Sequence, residues 1–145
     1  MIVLDASVAI KTILSEDDSG AAVAIFRHVV CNAPDLIFSE CANVVWKRFS
    51  RGEITRAFVD EASLLIESMN LYIAPSRLLL RRAMSISVEL DHPTYDCFYL
   101  ALAEQERVPL VTADKKLRDR VAGSHNKATS AEVILLADYE TLRTP

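Results

Sequence analysis

Short apolar runs alternate along this chain with longer stretches whose apolar residues recur at helical spacing. Ile2, Val3 and Leu4 form the first run and lead straight into Asp5. A run this rich in β-branched residues reads as a buried strand. Residues 7–14 read as a short helix, and Ser15-Glu16-Asp17-Asp18 as a polar turn. Val23, Phe26 and Val30 mark a helix over 19–30, and Pro34-Asp35-Leu36 a second short strand. Ser39 is a suitable N-cap for a helix from Glu40 to about 51, closed by Gly52. Phe58, Ala62, Leu65 and Met69 share one stripe of a helix over 55–68. A third strand is expected at 71–73, and a helix at 76–90 between Pro75 and Asp91-His92-Pro93. The pattern continues with a helix at 94–106, a fourth strand at 109–112 and a short helix at 115–121. A weak fifth strand at 126–129 and a turn of helix at 131–136 complete it. Strands alternating with helices in this way predict an α/β fold: a three-layer α/β/α sandwich around a central parallel sheet of four to five short strands.

Composition narrows this only a little. With 145 residues, 51% of them hydrophobic, the chain is expected to form a single domain over 1–145 with a sizeable core. No apolar run approaches the roughly 18 residues of a membrane span. Met1 leads directly into the first strand, so no signal peptide is expected. Sixteen basic against twenty acidic residues give a net charge of −4, which does not advertise nucleic-acid binding. Cys31, Cys41 and Cys97 are widely spaced and odd in number, with no zinc pattern. They read as small core residues in a reducing, cytoplasmic protein.

Parallel sheets place their ligands beyond the carboxyl ends of the strands, so the acids arriving there matter most. Asp5 follows the first strand, Glu40 opens the helix after the second, Asp96 sits in the first turn after Pro93, and Asp114 follows the fourth strand. Any one of them has an ordinary role as a helix cap. Four on one edge repel unless a cation joins them, and oxygen ligands suit Mg²⁺ or Mn²⁺. Ser7 and Thr112 stand two residues from Asp5 and Asp114, placed either to orient those carboxylates or to serve as turn and cap residues. Glu40, Asn43 and Lys47 share a polar helix face; Asn43 suits a carboxylate or phosphate oxygen, or simply solvent. His28, His92 and His125 are scattered; His92 reads as a loop residue before a proline. No Gly-rich phosphate loop and no G-x-S-x-G serine setting occurs.

Four stretches in order, IVLDASVAIK, APDLIFSECANVVWKR, PTYDCFYLALAEQ and LVTADKKL, resemble PIN-domain ribonucleases, most closely the VapC toxins of toxin–antitoxin modules. Residues 54–90 share only the helix pattern. The resemblance implies carboxylates holding one or two Mg²⁺ or Mn²⁺ ions and hydrolysing RNA phosphodiesters. Asp5, Glu40, Asp96 and Asp114 fall on the family's acidic positions, Asn43 on the polar residue after the Glu, and Thr112 on the hydroxyl before the last Asp. Asp119 reads as surface. Lys47 and Arg48 on one side, and Lys115 and Lys116 on the other, flank two of the acids and are candidates to hold RNA phosphates. Few exposed aromatics are evident, which favours recognition of RNA shape or backbone. The resemblance further implies an antitoxin partner and a homodimer. Apolar residues around 44–49 and 58–65 suit a groove for a partner helix, or merely the core. Two alternatives stay open: an antitoxin-binding module with weak or no hydrolysis, and a metal-dependent DNA nuclease or phosphatase.

Overall fold

The computed structural model describes residues 1–124 and 128–139. Five parallel strands form one sheet in the order β3-β2-β1-β4-β5. They are β1 (Ile2–Leu4), β2 (Cys31–Pro34), β3 (Tyr72–Ala74), β4 (Leu110–Thr112) and β5 (Val133–Leu135). The helices are α1 (Ala6–Ala9, continued by a 3-10 turn at Ile10–Thr12), α2 (Ser19–His28), α3 (Leu36–Ser50), α4 (Arg56–Glu67), α5 (Ser76–Leu90), α6 (Thr94–Glu106), α7 (Lys115–Ala122) and α8 (Leu136–Tyr139).

Strand order runs outward from β1 through β2 to β3, then crosses back to β4 and on to β5. Right-handed crossovers therefore place helices on both faces of the sheet. The order reverses between β1 and β4, and ligands of such sheets sit outside the carboxyl ends of strands at that switch point. Asp5 leaves β1 there, and its N–H donates to the Val111 carbonyl of β4 at 3.0 Å. Val3, Leu4, Leu110 and Val111 are fully buried, as continuous apolar strands covered on both faces must be. Helix α6 packs across β1, β2 and β4 and buries Cys97 and every residue from Tyr99 to Ala103. A helix apolar on nearly all sides belongs inside a domain, and this one carries Asp96 to the sheet's carboxyl edge.

The largest departures from the sequence expectation have a tertiary reason. The second strand is Cys31–Pro34 rather than 34–36, and α3 starts at Leu36 rather than Glu40. Ile37, Cys41 and Val45 are buried at i, i+4 and i+8, so one helical stripe claims residues whose apolar run also fits a strand. Ser39 is therefore inside α3 and caps nothing. Asp35, the acid that directly follows β2, accepts hydrogen bonds from the backbone N–H and hydroxyl of Ser76 and ties α3 to the start of α5. The last strand is Val133–Leu135, inside the segment expected to be helical. Its pairing of Leu110 with Val133, Val111 with Ile134 and Thr112 with Leu135 overrides a local pattern too short to choose. Of the strand expected at 126–129, Asn126 lies outside the described residues, as does His125, and Ala128 and Thr129 form no strand.

Candidate active site

Asp5 is 7% exposed at the end of β1. Its Oδ2 accepts from the Ser7 hydroxyl at 2.6 Å and from the Thr112 hydroxyl at 2.5 Å. Each hydroxyl is itself held: Ser7 Oγ accepts the Ala113 N–H at 2.9 Å, and Thr112 Oγ1 accepts the Asp114 N–H at 3.0 Å. The exits of β1 and β4 are thus stitched together around one carboxylate. Burial pushes the Asp5 pKa up; the two hydroxyls oppose this, and the charge of Asp96 adds to it.

Glu40 lies in the second turn of α3, and its Oε2 accepts from the Tyr99 hydroxyl of α6 at 2.5 Å. Burial, with added repulsion from Asp5 and Asp96, raises the Glu40 pKa to about 7 against the Tyr99 hydrogen bond. Tyr99 is fully buried, and burial beside Glu40 and Asp5 pushes its phenol pKa up, so it stays a donor. Asp96, in the first turn of α6, meets His92 Nε2 through its Oδ2 at 2.6 Å. His92 is therefore a partner of a candidate site acid as well as a loop residue.

Asp5, Glu40 and Asp96 come from three elements and act on one another electrostatically. Asp114 is not among the charges that act on Asp5 or Glu40. Its Oδ1 caps α7 by accepting the N–H groups of Lys116 at 2.7 Å and Leu117 at 3.1 Å, the ordinary role open to any acid at a helix start. Among the described residues, none of the four acids forms an ion pair with Lys or Arg. Three mutually repelling carboxylates with no Lys or Arg partner among the described residues form the donor set a hard divalent cation prefers. Among the described residues, however, no three His, Cys, Asp or Glu side chains are gathered closely enough to hold an ion as they stand. Instead each acid is hydrogen-bonded to protein. The set fits such a cation by charge and ligand type.

The other sequence candidates divide. Ser7 and Thr112 touch Asp5, as described. Asn43 is exposed on α3 and bonds none of the acids. Lys47 is exposed, while Arg48 is tied to Glu16 at 2.6 Å and Glu53 at 2.8 Å. Lys115 pairs with Asp119 at 2.5 Å, and Lys116 is exposed. Sequence reasoning passed over Tyr99. Its signal was present: three residues after Asp96, it shares that acid's helix face.

A family model described as the PIN domain matches residues 2–123. Ribonuclease VapC9 of Mycobacterium tuberculosis is 32% identical over 120 residues, covering 82% of this chain and 90% of that protein. Ribonuclease VapC3 of Pyrobaculum aerophilum is 28% identical over 125 residues, covering 82% and 93% respectively. Among solved structures, the sarcin–ricin-loop-cleaving toxin VapC20 of M. tuberculosis superposes with a TM-score of 0.66 at 14% identity, over 89% of this chain and 99% of that one. A toxin–antitoxin complex from Klebsiella pneumoniae gives 0.63 at 14% identity, over 94% and 98%. Strand order, the acids at the carboxyl edge and the sequence match agree: the chain belongs to the PIN-domain family, among the relatives named VapC.

Proposed function

We propose that this protein is a metal-dependent endoribonuclease and the toxin of a toxin–antitoxin pair. The observation that carries the reading is that Asp5, Glu40 and Asp96 act on one another electrostatically at the sheet's switch point with no Lys or Arg partner among the described residues. The names of the relatives support RNA as substrate. Asp5, Glu40 and Asp96 would hold Mg²⁺ or Mn²⁺, with Asp114 beside them. A divalent ion there supplies a Lewis acid that polarises the phosphate and acidifies an attacking water. Ser7 and Thr112 hold Asp5 in one orientation, and Tyr99 does the same for Glu40. Asn43 and the exposed Lys47 and Lys116 are left for the phosphate backbone. Arg48 and Lys115 reach it only by leaving Glu16, Glu53 and Asp119.

In this reading the antitoxin would bind between α3 and α4. A groove of about 460 Å³ between α3 and α4 is lined mainly by apolar residues, Val45, Trp46, Phe49, Val59 and Ile66 among them. It suits the apolar face of a partner helix. A homodimer and a cytoplasmic location complete the reading. Among the described residues no helix is long and apolar enough to cross a membrane.

Purified protein is given RNA, DNA and a small phosphate diester, each with Mg²⁺, Mn²⁺ or chelator. RNA cleavage with either ion, abolished by chelator and by Asp96→Asn, is the expected result. Cleavage by Asp96→Asn at the wild-type rate sinks the carboxylate assignment. Preference for DNA or for the small ester moves the activity to another substrate class.

A further inference from the structure

We propose that Tyr95 is the platform on which one base of a single-stranded RNA stacks, in the nucleotide next to the cut. The inference rests on the ribonuclease reading and adds to it a residue that orders the substrate. Four aromatic rings stand exposed among the described residues, and position separates them: Trp46, Phe49, Tyr72 and Tyr95. Trp46 and Phe49 line the groove between α3 and α4. Tyr72 opens β3, at the amino end of the sheet and away from the acids. Tyr95 alone of these rings adjoins one of the acids in the chain, as the second residue of α6, immediately before Asp96.

The residue is 68% exposed, so the fold gains little from its ring. Tyr99, one turn later in the same helix, is fully buried. The backbone beneath Tyr95, by contrast, is fastened. Asp91 turns the chain in the left-handed region at φ 48°. The Ser87 hydroxyl donates to the His92 carbonyl at 2.6 Å and meets the Thr94 hydroxyl at 3.1 Å. The His92 N–H returns to the Ser87 carbonyl at 3.1 Å, and its ring holds Asp96 at 2.6 Å. A bare aromatic face on a braced turn loses little entropy when it binds, because a tyrosine has only two side-chain torsions. Proteins that act on single-stranded RNA splay its bases and stack them on such rings. With the scissile phosphate at Asp5, Glu40 and Asp96, the base of the adjacent nucleotide would meet the exposed residue next to Asp96, which is Tyr95. Stacking tolerates any base, so Tyr95 positions the strand and does not select its sequence. The scarcity of aromatics expected from sequence is thereby amended: one ring suffices where it stands next to the chemistry.

The test uses an oligoribonucleotide that the wild type cuts at a mapped position, together with versions carrying a single abasic site on either side of it. Tyr95→Ala is expected to lower kcat/KM about tenfold on intact RNA, chiefly through KM. At one flanking position, wild type loses a similar factor on the abasic substrate, whereas Tyr95→Ala loses nothing further there. Tyr95→Phe and Tyr95→Trp keep activity; Tyr95→Leu, apolar but without a π face, does not. Tyr95→Ala within twofold of wild type, or equal losses at every abasic position in both proteins, overturns the proposal. So does a change of sedimentation in Tyr95→Ala, which assigns the ring to a protein contact. If wild type neither cuts nor binds RNA, the ribonuclease reading itself falls, a result separate from failure of Tyr95 alone.

Discussion

Glu40 shows how burial, with like charges beside it, gives a side chain a second behaviour. Its pKa is about 7 in the folded protein against an ordinary 4.5, so the folded state binds its proton more tightly than the unfolded chain does. Below pH 4.5 both states are protonated and Glu40 costs nothing. Between 4.5 and 7 the unfolded chain ionises first, so stability falls as pH rises through that window and stays low above it. Glu40→Gln keeps an acceptor for the Tyr99 hydroxyl and never ionises. In chelator, the variant should match wild type near pH 4 and exceed it at pH 8 by roughly 2 kcal/mol, the shift discounted for partial exposure. Denaturant melts of both proteins across this range check it. A stability difference independent of pH would mean Glu40 is not held in a desolvated, anionic neighbourhood. Tyr99 follows the same logic from the other side. Its hydroxyl donates to Glu40, and although its place on the Asp96 face of α6 is legible in the spacing, its acceptor is not until α3 and α6 are seen to face each other.

At the scale of elements, patterns long enough to be self-consistent were legible. The helices at Ser76–Leu90 and Thr94–Glu106 fall where Pro75, the Asp91-His92-Pro93 break and the periodic apolar residues put them. The short elements were legible only in part. Leu36 and Ile37 suit a strand or a helix equally, and the sheet settles it by ending β2 at Pro34. Glu40 reached the acid cluster for a reason other than the one expected, projecting from the second turn of α3 instead of from its start. Val133–Leu135 is a strand because β4 offers it a ladder. The segment before it is anchored by Glu104, which accepts two hydrogen bonds from Arg82, at 2.7 and 2.9 Å, and one each from the Thr129 hydroxyl at 2.6 Å and the Ser130 N–H at 2.7 Å. Arg82 also donates to the Ala128 carbonyl at 2.9 Å, so it clamps this segment from two sides. Burial pushes the Glu104 pKa up, yet Arg82, Thr129 and Ser130 outweigh it and hold the carboxyl below its ordinary value. That stability is present above the unfolded pKa of about 4.5 and is lost as pH falls. Glu104→Ala removes the acceptor of four donors and should cost about 2–3 kcal/mol at pH 7. Hydrogen exchange should show protection lost first at Val133–Leu135, with β1 and β2 little changed. Uniform loss across the sheet would mean that β5 is not held by this clamp.

On the scale of the whole molecule, three acids delivered by β1, α3 and α6 meet only because the chain folds. Asp5, Glu40 and Asp96 lie far apart in sequence, so unfolding relieves their repulsion, and the metal-free fold carries that cost. Asp96→Asn removes the charge that acts on both Asp5 and Glu40 while keeping an acceptor for His92. In chelator the variant should therefore melt higher than wild type, by about 1 kcal/mol or a few degrees for a chain of this size. Added Mn²⁺ binds the native state preferentially and should raise the wild-type melting temperature, but that of Asp96→Asn much less. The two effects have opposite signs, so the curves cross. If Asp96 served only to cap α6 and hold His92, its loss would lower the melting temperature in chelator and leave the gain from Mn²⁺ intact. Melts of both proteins in chelator and in Mn²⁺ separate these cases. A variant that gains as much from Mn²⁺ as wild type places the metal away from Asp96, whatever its effect on RNA cleavage.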